Sequence, residues 1–316
     1  MARFIVQRLA IAVILVLLVA TVVFALIHLM PGDPVLVILG SERTPDPAVV
    51  EAVRTKLGLD QPLPIQYIRW LGSLARLDFG NSLVDNRPVW NTLVERLPRT
   101  LELVLLAVAV SCLFGIPMGV FAALKRNQAP DVLLSLTAAA GISTPVYVVG
   151  TLLVLLFGVL LHWLPVAGYV DFARSPMQHI QRLILPVVAL SLGSTAIIMR
   201  LTRSSLLDVL GQDYVRTARA KGLHDQVVVY RHAVRAALIP VVTAVGLQIG
   251  ILIGGSVLVE FIFNWPGLST LLVTAIGRRD YPTIQGVILV TSTLFILINL
   301  MVELTYGYLD PRIRHS

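Results

Sequence analysis

One cysteine and three lysines are all that 316 residues supply of two common chemistries. Cys112 lies inside an apolar run, so the chain has neither an internal disulfide nor a thiolate metal cluster. Lys56, Lys125 and Lys221 follow Thr55, Leu124 and Ala220, which leaves no Gly-Lys-Ser/Thr phosphate loop and excludes ATP hydrolysis by that route. His28, His162, His179, His224, His232 and His315 show no metal-ligand spacing. No Ser/His/Asp signature is legible either, so no catalytic residue, metal or cofactor is expected. Charge is scarce as well, at 14% of positions against about 25% in soluble domains. Hydrophobic residues fill 56%, in long runs that recur along the whole chain. These runs exceed a barrel strand and approach the roughly 20 residues of a spanning helix, so the expectation is a polytopic all-α membrane protein.

Six spans are expected: Leu9 to Met30, Leu101 to Leu124, Val132 to Leu161, Leu183 to Leu201, Ala236 to Val259 and Ile284 to Leu304. The first follows Arg3 and Arg8, but its apolar core is too long for a secretory signal and no small-residue cleavage site follows, so it reads as an uncleaved span. The third contains Gly141, Ser143, Thr144 and Pro145 and is too long for one straight crossing, which predicts a kink at Pro145 or two elements. The expected organisation is residues 1–30 as the first helix, 31–99 as an extracytoplasmic subdomain, and 100–316 as a five-helix core with a cytoplasmic loop at 200–235. Thirteen Lys and Arg residues fall on the tails and on the second and fourth connections, which places both termini in the cytoplasm. The net charge of +7 thus follows topology and asks for no nucleic acid. The 31–99 connection balances eight basic with eight acidic residues. Within it, Pro47 to Leu57 has amphipathic helical spacing, and Ile65 to Leu77 reads as a second helix lying on the membrane face.

Of the ionisable residues, Glu102 and Glu303 sit at span ends, which argues against a proton path at mid-membrane. In the fifth span Gly246, Gly250 and Gly254 recur four apart, with Gln248 among them. Such a face admits a neighbouring helix or a translocated substrate, and Gly115 and Gly119 carry the same two readings. Gln248 needs a polar partner or a watery cavity. In the 200–235 loop, Asp213 is expected to cap a short helix through Tyr214, Val215, Arg216, Thr217, Ala218, Arg219, Ala220 and Lys221, ended by a left-handed Gly222. Its basic residues suit either anionic lipid or a protein partner.

The run Tyr214-Val-Arg-Thr-Ala-Arg-Ala-Lys-Gly222, followed by Arg231-His-Ala-Val-Arg-Ala-Ala-Leu-Ile-Pro240, resembles the cytoplasmic-loop motif of binding-protein-dependent ABC importer permeases of the dipeptide/oligopeptide/nickel subfamily. Pro31-Gly-Asp-Pro34, Leu57-Gly-Leu-Asp-Gln-Pro62, Asp78-Phe-Gly-Asn-Ser82, Arg200-Leu-Thr-Arg-Ser-Ser205, Phe263-Asn-Trp-Pro-Gly267, Arg279-Asp-Tyr-Pro282 and Asp310-Pro-Arg-Ile-Arg314 extend the likeness over essentially the whole chain. The general motif's Glu-Ala-Ala is here Arg216-Thr217-Ala218. The resemblance implies a type I importer permease fold (MetI-like) with six transmembrane helices. It also implies a second homologous permease, two cytoplasmic ATPase subunits gripping Tyr214, Arg216, Thr217, Ala218, Lys221 and Gly222, and an extracytoplasmic solute-binding protein. The expected cargo is a di- or oligopeptide carried across the bacterial inner membrane, with nickel or glutathione as alternatives. An ion-coupled secondary carrier is the rival from another class.

Overall fold

The computed structural model describes residues 2–29, 51, 55 and 60–309. The expected helix over Pro47–Leu57 therefore falls, apart from residues 51 and 55, outside the described residues. Within residues 2–29 and 60–309 the helices are, in order, α1 Ala2–Leu29, α2 Leu63–Leu74, α3 Val89–Leu124, α4 Ala129–Ser143 and α5 Val146–Leu153, the last continued by a π-helical stretch Val154–Leu160. Then come α6 Pro176–Leu210, α7 Asp213–Ala220, α8 Asp225–Ile262, α9 Leu268–Gly277 and α10 Tyr281–Leu309. Five of these are long and apolar enough to cross a membrane, and α4 with α5 makes a sixth as a bent pair. The all-α, six-span expectation agrees with this architecture.

Span boundaries were legible only in part. Helix α3 begins at Val89 rather than Leu101, and α6 runs from Pro176 to Leu210 rather than from Leu183 to Leu201. The extensions carry polar residues, such as Glu95 and Arg99, that lie beyond the apolar stretch yet continue its helical backbone. Proline sets several starts: Pro176 occupies the first turn of α6 and Pro64 that of α2, where a missing N–H costs nothing.

The corner in the third span follows from Pro145. Proline excludes the α conformation for the residue before it, and Thr144 is extended at φ −87°, ψ 121°. The two arms bend by 99°. Pro145 has no N–H to offer the Gly141 carbonyl, whereas the Ala140 carbonyl keeps its helical partner, the Thr144 N–H at 3.0 Å, and also accepts from the Thr144 hydroxyl at 2.8 Å.

Helices α3 and α6 run parallel in intimate contact, and this pair is the spine of the bundle. A Cβ added at Gly115 would lie 2.9 Å from the Thr195 carbonyl oxygen, and one at Gly119 would lie 2.6 Å from that of Met199. These glycines serve close helix packing. Against the spine, Val104, Ala107, Leu185, Leu190, Leu252, Ile253, Val259 and Phe263 form the main core. Helix α1 lies outside it, touching α10 through Ala20, Val23 and Leu289. The face where α1 begins and α3, α6 and α10 end is termed the terminal face, and Arg8 meets Glu303 there at 3.2 Å. The opposite one is the far face.

Candidate functional site

Helix α7 is eight residues long and stands on the terminal face. Its N-cap is Gln212, in extended backbone at φ −75°, ψ 150°, with no side-chain capping bond. Asp213, expected as the cap, instead occupies the first turn. Its carboxylate there complements the helix dipole, with Arg216 one turn on at 3.7 Å. Gly222 ends the element at φ +77°, and nothing lies within 4 Å of where its Cβ would sit, so backbone conformation alone selects glycine. The Leu223 N–H reaches the Ala218 carbonyl at 3.4 Å and the Gly222 N–H reaches that of Arg219 at 2.9 Å, the two bonds of a Schellman termination. Arg219 then pairs with Asp225 at 3.0 Å and ties the exit turn to the start of α8.

Only Val215 of α7 is buried, at 0% exposure. The helix rests on the π-helical stretch Val228–Ala233 of α8, in which Val228, Val229 and Ala233 are buried. Tyr214, Arg216, Thr217, Arg219, Ala220, Lys221 and Gly222 are exposed, and Ala218 is half-buried. Apolar groups are exposed beside them: Tyr214, Leu223, Val227 and Tyr230, the last at 61%. Beneath, Val120 and Ala123 of α3, Leu206 of α6, and Ala233 and Ala237 of α8 close a small core. The residues singled out in this loop are thus brought together on one presented surface.

The residues singled out in the fifth span are not. A Cβ at Gly246 would meet Val302 at 2.1 Å, and one at Gly250 would meet Phe295 at 2.5 Å, so both glycines admit α10. Gln248 points the other way, buried, and donates to the Ser194 hydroxyl of α6 at 2.9 Å. Gly254 has nothing within 4 Å and borders an apolar hollow of about 570 Å³ that Leu15, Leu18 and Phe295 also line.

Three polar constellations escaped the sequence reading. Glu260, one residue past the expected end of the fifth span, is fully buried. It accepts from the Thr100 hydroxyl at 2.7 Å and from the Thr270 N–H at 2.9 Å. The N-cap of α9 is Gly267, which has no side chain to offer, and the Glu260 carboxylate caps that helix from a neighbouring element. Further out, the Nδ1 of buried His179 lies 2.7 Å from the Val170 carbonyl, which can only accept, so that nitrogen carries a proton. Its Nε2 lies 2.7 Å from Glu102, and Tyr169, Phe172 and Trp265 surround the ring. Burial, reinforced by the Asp171 carboxylate, raises the pKa of the Tyr169 phenol. On the terminal face Asp131, at the start of α4, receives Arg203 of α6 in a bidentate pair, at 2.6 and 2.8 Å. The one available signal was chemical: Asp and Glu inside or bordering apolar runs need partners.

Comparison with known proteins agrees with this architecture. Residues 1–104 match the N-terminal model of binding-protein-dependent transport system membrane components, and residues 115–315 match the model described as binding-protein-dependent transport system inner membrane component. The chain is 44% identical to a glutathione transport system permease protein, GsiC, of Salmonella paratyphi A, with both proteins covered in full. It is 43% identical to a di/tripeptide transport system permease protein, DppB, of Pseudomonas aeruginosa, again over the whole of both. A chain of the MetNI methionine ABC transporter in an inward-facing conformation shares the fold at TM-score 0.56 and 18% identity, covering 69% of this chain and 96% of that one. A crystal structure of an amino acid ABC transporter does so at 0.50, covering 69% and 94%. The chain belongs to the binding-protein-dependent transport system inner membrane components, the permeases of ABC importers.

Proposed function

We propose that this chain is one of two homologous permease subunits of an importer for di- or oligopeptides, driven by two cytoplasmic ATPase subunits and loaded by an extracytoplasmic solute-binding protein. The terminal face is then cytoplasmic, as the thirteen Lys and Arg residues argue. The observation that carries this reading is α7: a short helix ended by a Schellman turn, anchored by one buried valine, with every other residue wholly or partly exposed. A helix with so little packed beneath it gains by fitting a groove in another protein, and its small residues lose little side-chain entropy on docking. Tyr214, Arg216, Thr217, Ala218, Lys221 and Gly222 are the proposed contact residues. Nucleotide-driven closure of the ATPases would bias the permease through contacts that differ between its two states. Of the fifth-span candidates, Gly254, with open space beside it, is proposed as part of the wall of the path, while Gly246 and Gly250 seat α10 and Gln248 ties α8 to α6.

Glutathione is the second reading of the cargo, favoured by the relative at 44% identity whose name carries it. Reconstitution with the partner subunits in liposomes tests both. ATP-dependent accumulation of labelled alanyl-alanine is expected; accumulation of glutathione alone shifts the cargo. Uptake of either driven by an ion gradient without any ATPase would overturn the proposal in favour of a secondary carrier.

A further inference from the structure

A surface helix held by one valine grips the bundle weakly, so its displacement needs another route inward. The motif Arg200-Leu-Thr-Arg-Ser-Ser205 is left unexplained by docking. Arg203 belongs to the last two turns of α6, from which the chain reaches α7 through only Gly211 and Gln212. Its guanidinium grips Asp131 through Nε and Nη2 at 2.6 and 2.8 Å. The Asp131 carboxylate is also held by the backbone N–H of Asn127 at 2.9 Å, and Ser135 approaches it at 3.5 Å. Asn127 sits at φ +62°, so the same carboxylate also fixes the turn between α3 and α4.

Helix α4 lies along α6, and also against α3, chiefly on small residues, with Gly141 beside Ala196. Val132, Leu133, Leu136 and Ile142 are exposed, and only Asp131 and Ala138 are buried. Ala138 touches Ala122, Ala196 and Met199 through small apolar contacts that can slide. Two parallel hydrogen bonds from a planar fork do not slide. At its other end α4 meets the Pro145 corner, beyond which Val146, Val149, Leu153, Val154 and Phe157 pack on the main core.

We infer that the Asp131–Arg203 pair is a positioning strut, through which movement of the α6–α7 end is transmitted into the bent third span. This rests on the reading of α7 as the ATPase-docking helix. A lever of this kind must resist shear, and the pair joins the base of the arm bearing α7 to the start of α4, beside its turn from α3. Arg203 and Asp131 touch no substrate in this scheme, and their effect is on coupling alone.

The experiment uses the assembled transporter in liposomes, in a Cys112→Ala background, and reads alanyl-alanine imported per ATP hydrolysed. Arg203→Lys keeps the charge but loses the fork. It is expected to lower that ratio about fivefold or more, with the ATPase subunits still bound and the melting temperature close to the parent's. Asp131→Cys with Arg203→Cys is expected to be uncoupled as prepared and recoupled when a short bis-methanethiosulfonate bridge joins the two thiols, an outcome that a merely structural role would not give. A parental ratio in Arg203→Lys, or no recovery on bridging, overturns the strut while leaving docking intact. Failure of the parent chain to bind any ATPase sinks the docking reading, and the strut with it.

Discussion

At the far face, the Glu260 carboxylate is enclosed by Thr100, Ser256 and Thr270, Trp265 donates to the Arg99 carbonyl at 3.0 Å, and the Leu268 N–H reaches the Thr100 hydroxyl at 2.8 Å. At the terminal face, α7 lies on the surface with Val215 beneath it. The first region joins α3, α8 and α9 by bonds that must break together, whereas the second adheres through one apolar contact and an exposed ion pair. Cooperative opening costs most where buried polar groups share partners and least where solvent already reaches the backbone. The Glu260 network is accordingly the more cooperative of the two contacts, and α7 is the element more easily displaced by another protein.

Substitution can break that contrast. The largest effect is expected for Glu260→Leu, which strands the Thr100 hydroxyl and the Thr270 N–H. At about 1–3 kcal/mol for each orphaned group, the loss is about 4 kcal/mol. Denaturant unfolding in detergent measures it, and a loss no bigger than that of a surface change would mean the network is idle. Gly267→Ala comes next, since its Cβ would lie 2.3 Å from Glu260 Oε1. Overpacking of this kind costs about 1–3 kcal/mol, and a melting temperature equal to the parent's would count against the tight fit.

Smaller and local effects belong to the terminal face. Val215→Ala removes two methyl groups, about 1.5 kcal/mol of burial. Amide exchange across Asp213–Leu223 should quicken about tenfold while global melting stays put. A global shift instead would show that α7 is part of the main cooperative unit. Gly222→Ala is the mildest, because no atom is in the way and only the left-handed backbone resists, at about 1 kcal/mol. Exchange confined to Lys221–Leu223 should report it, and no change there would remove the reason for a glycine.

The chain's apolar runs made the spans and the third-span break visible, because hydrocarbon demands helices and Pro145 forbids its neighbour the α conformation. Helix α7 was visible for the same local reason: Gly222 and the small basic run are signals carried by adjacent residues. The polar networks were hidden because their partners are remote. Thr100 and Glu260 stand 160 positions apart, and Asp131 and Arg203 stand 72 apart. Position in one run also put Gly246 and Gln248 into one group. Two residues differ by about 200° around a helix, and so one faces α10 while the other reaches α6.

The corner at Pro145 has a consequence for the surrounding bilayer. Two arms at 99° cannot both stand along the membrane normal, so the broken span occupies more lateral area than a straight helix of equal length. Any opening or closing of that angle exchanges membrane area with the lipids, which makes the tension and thickness of the bilayer part of the work of moving it.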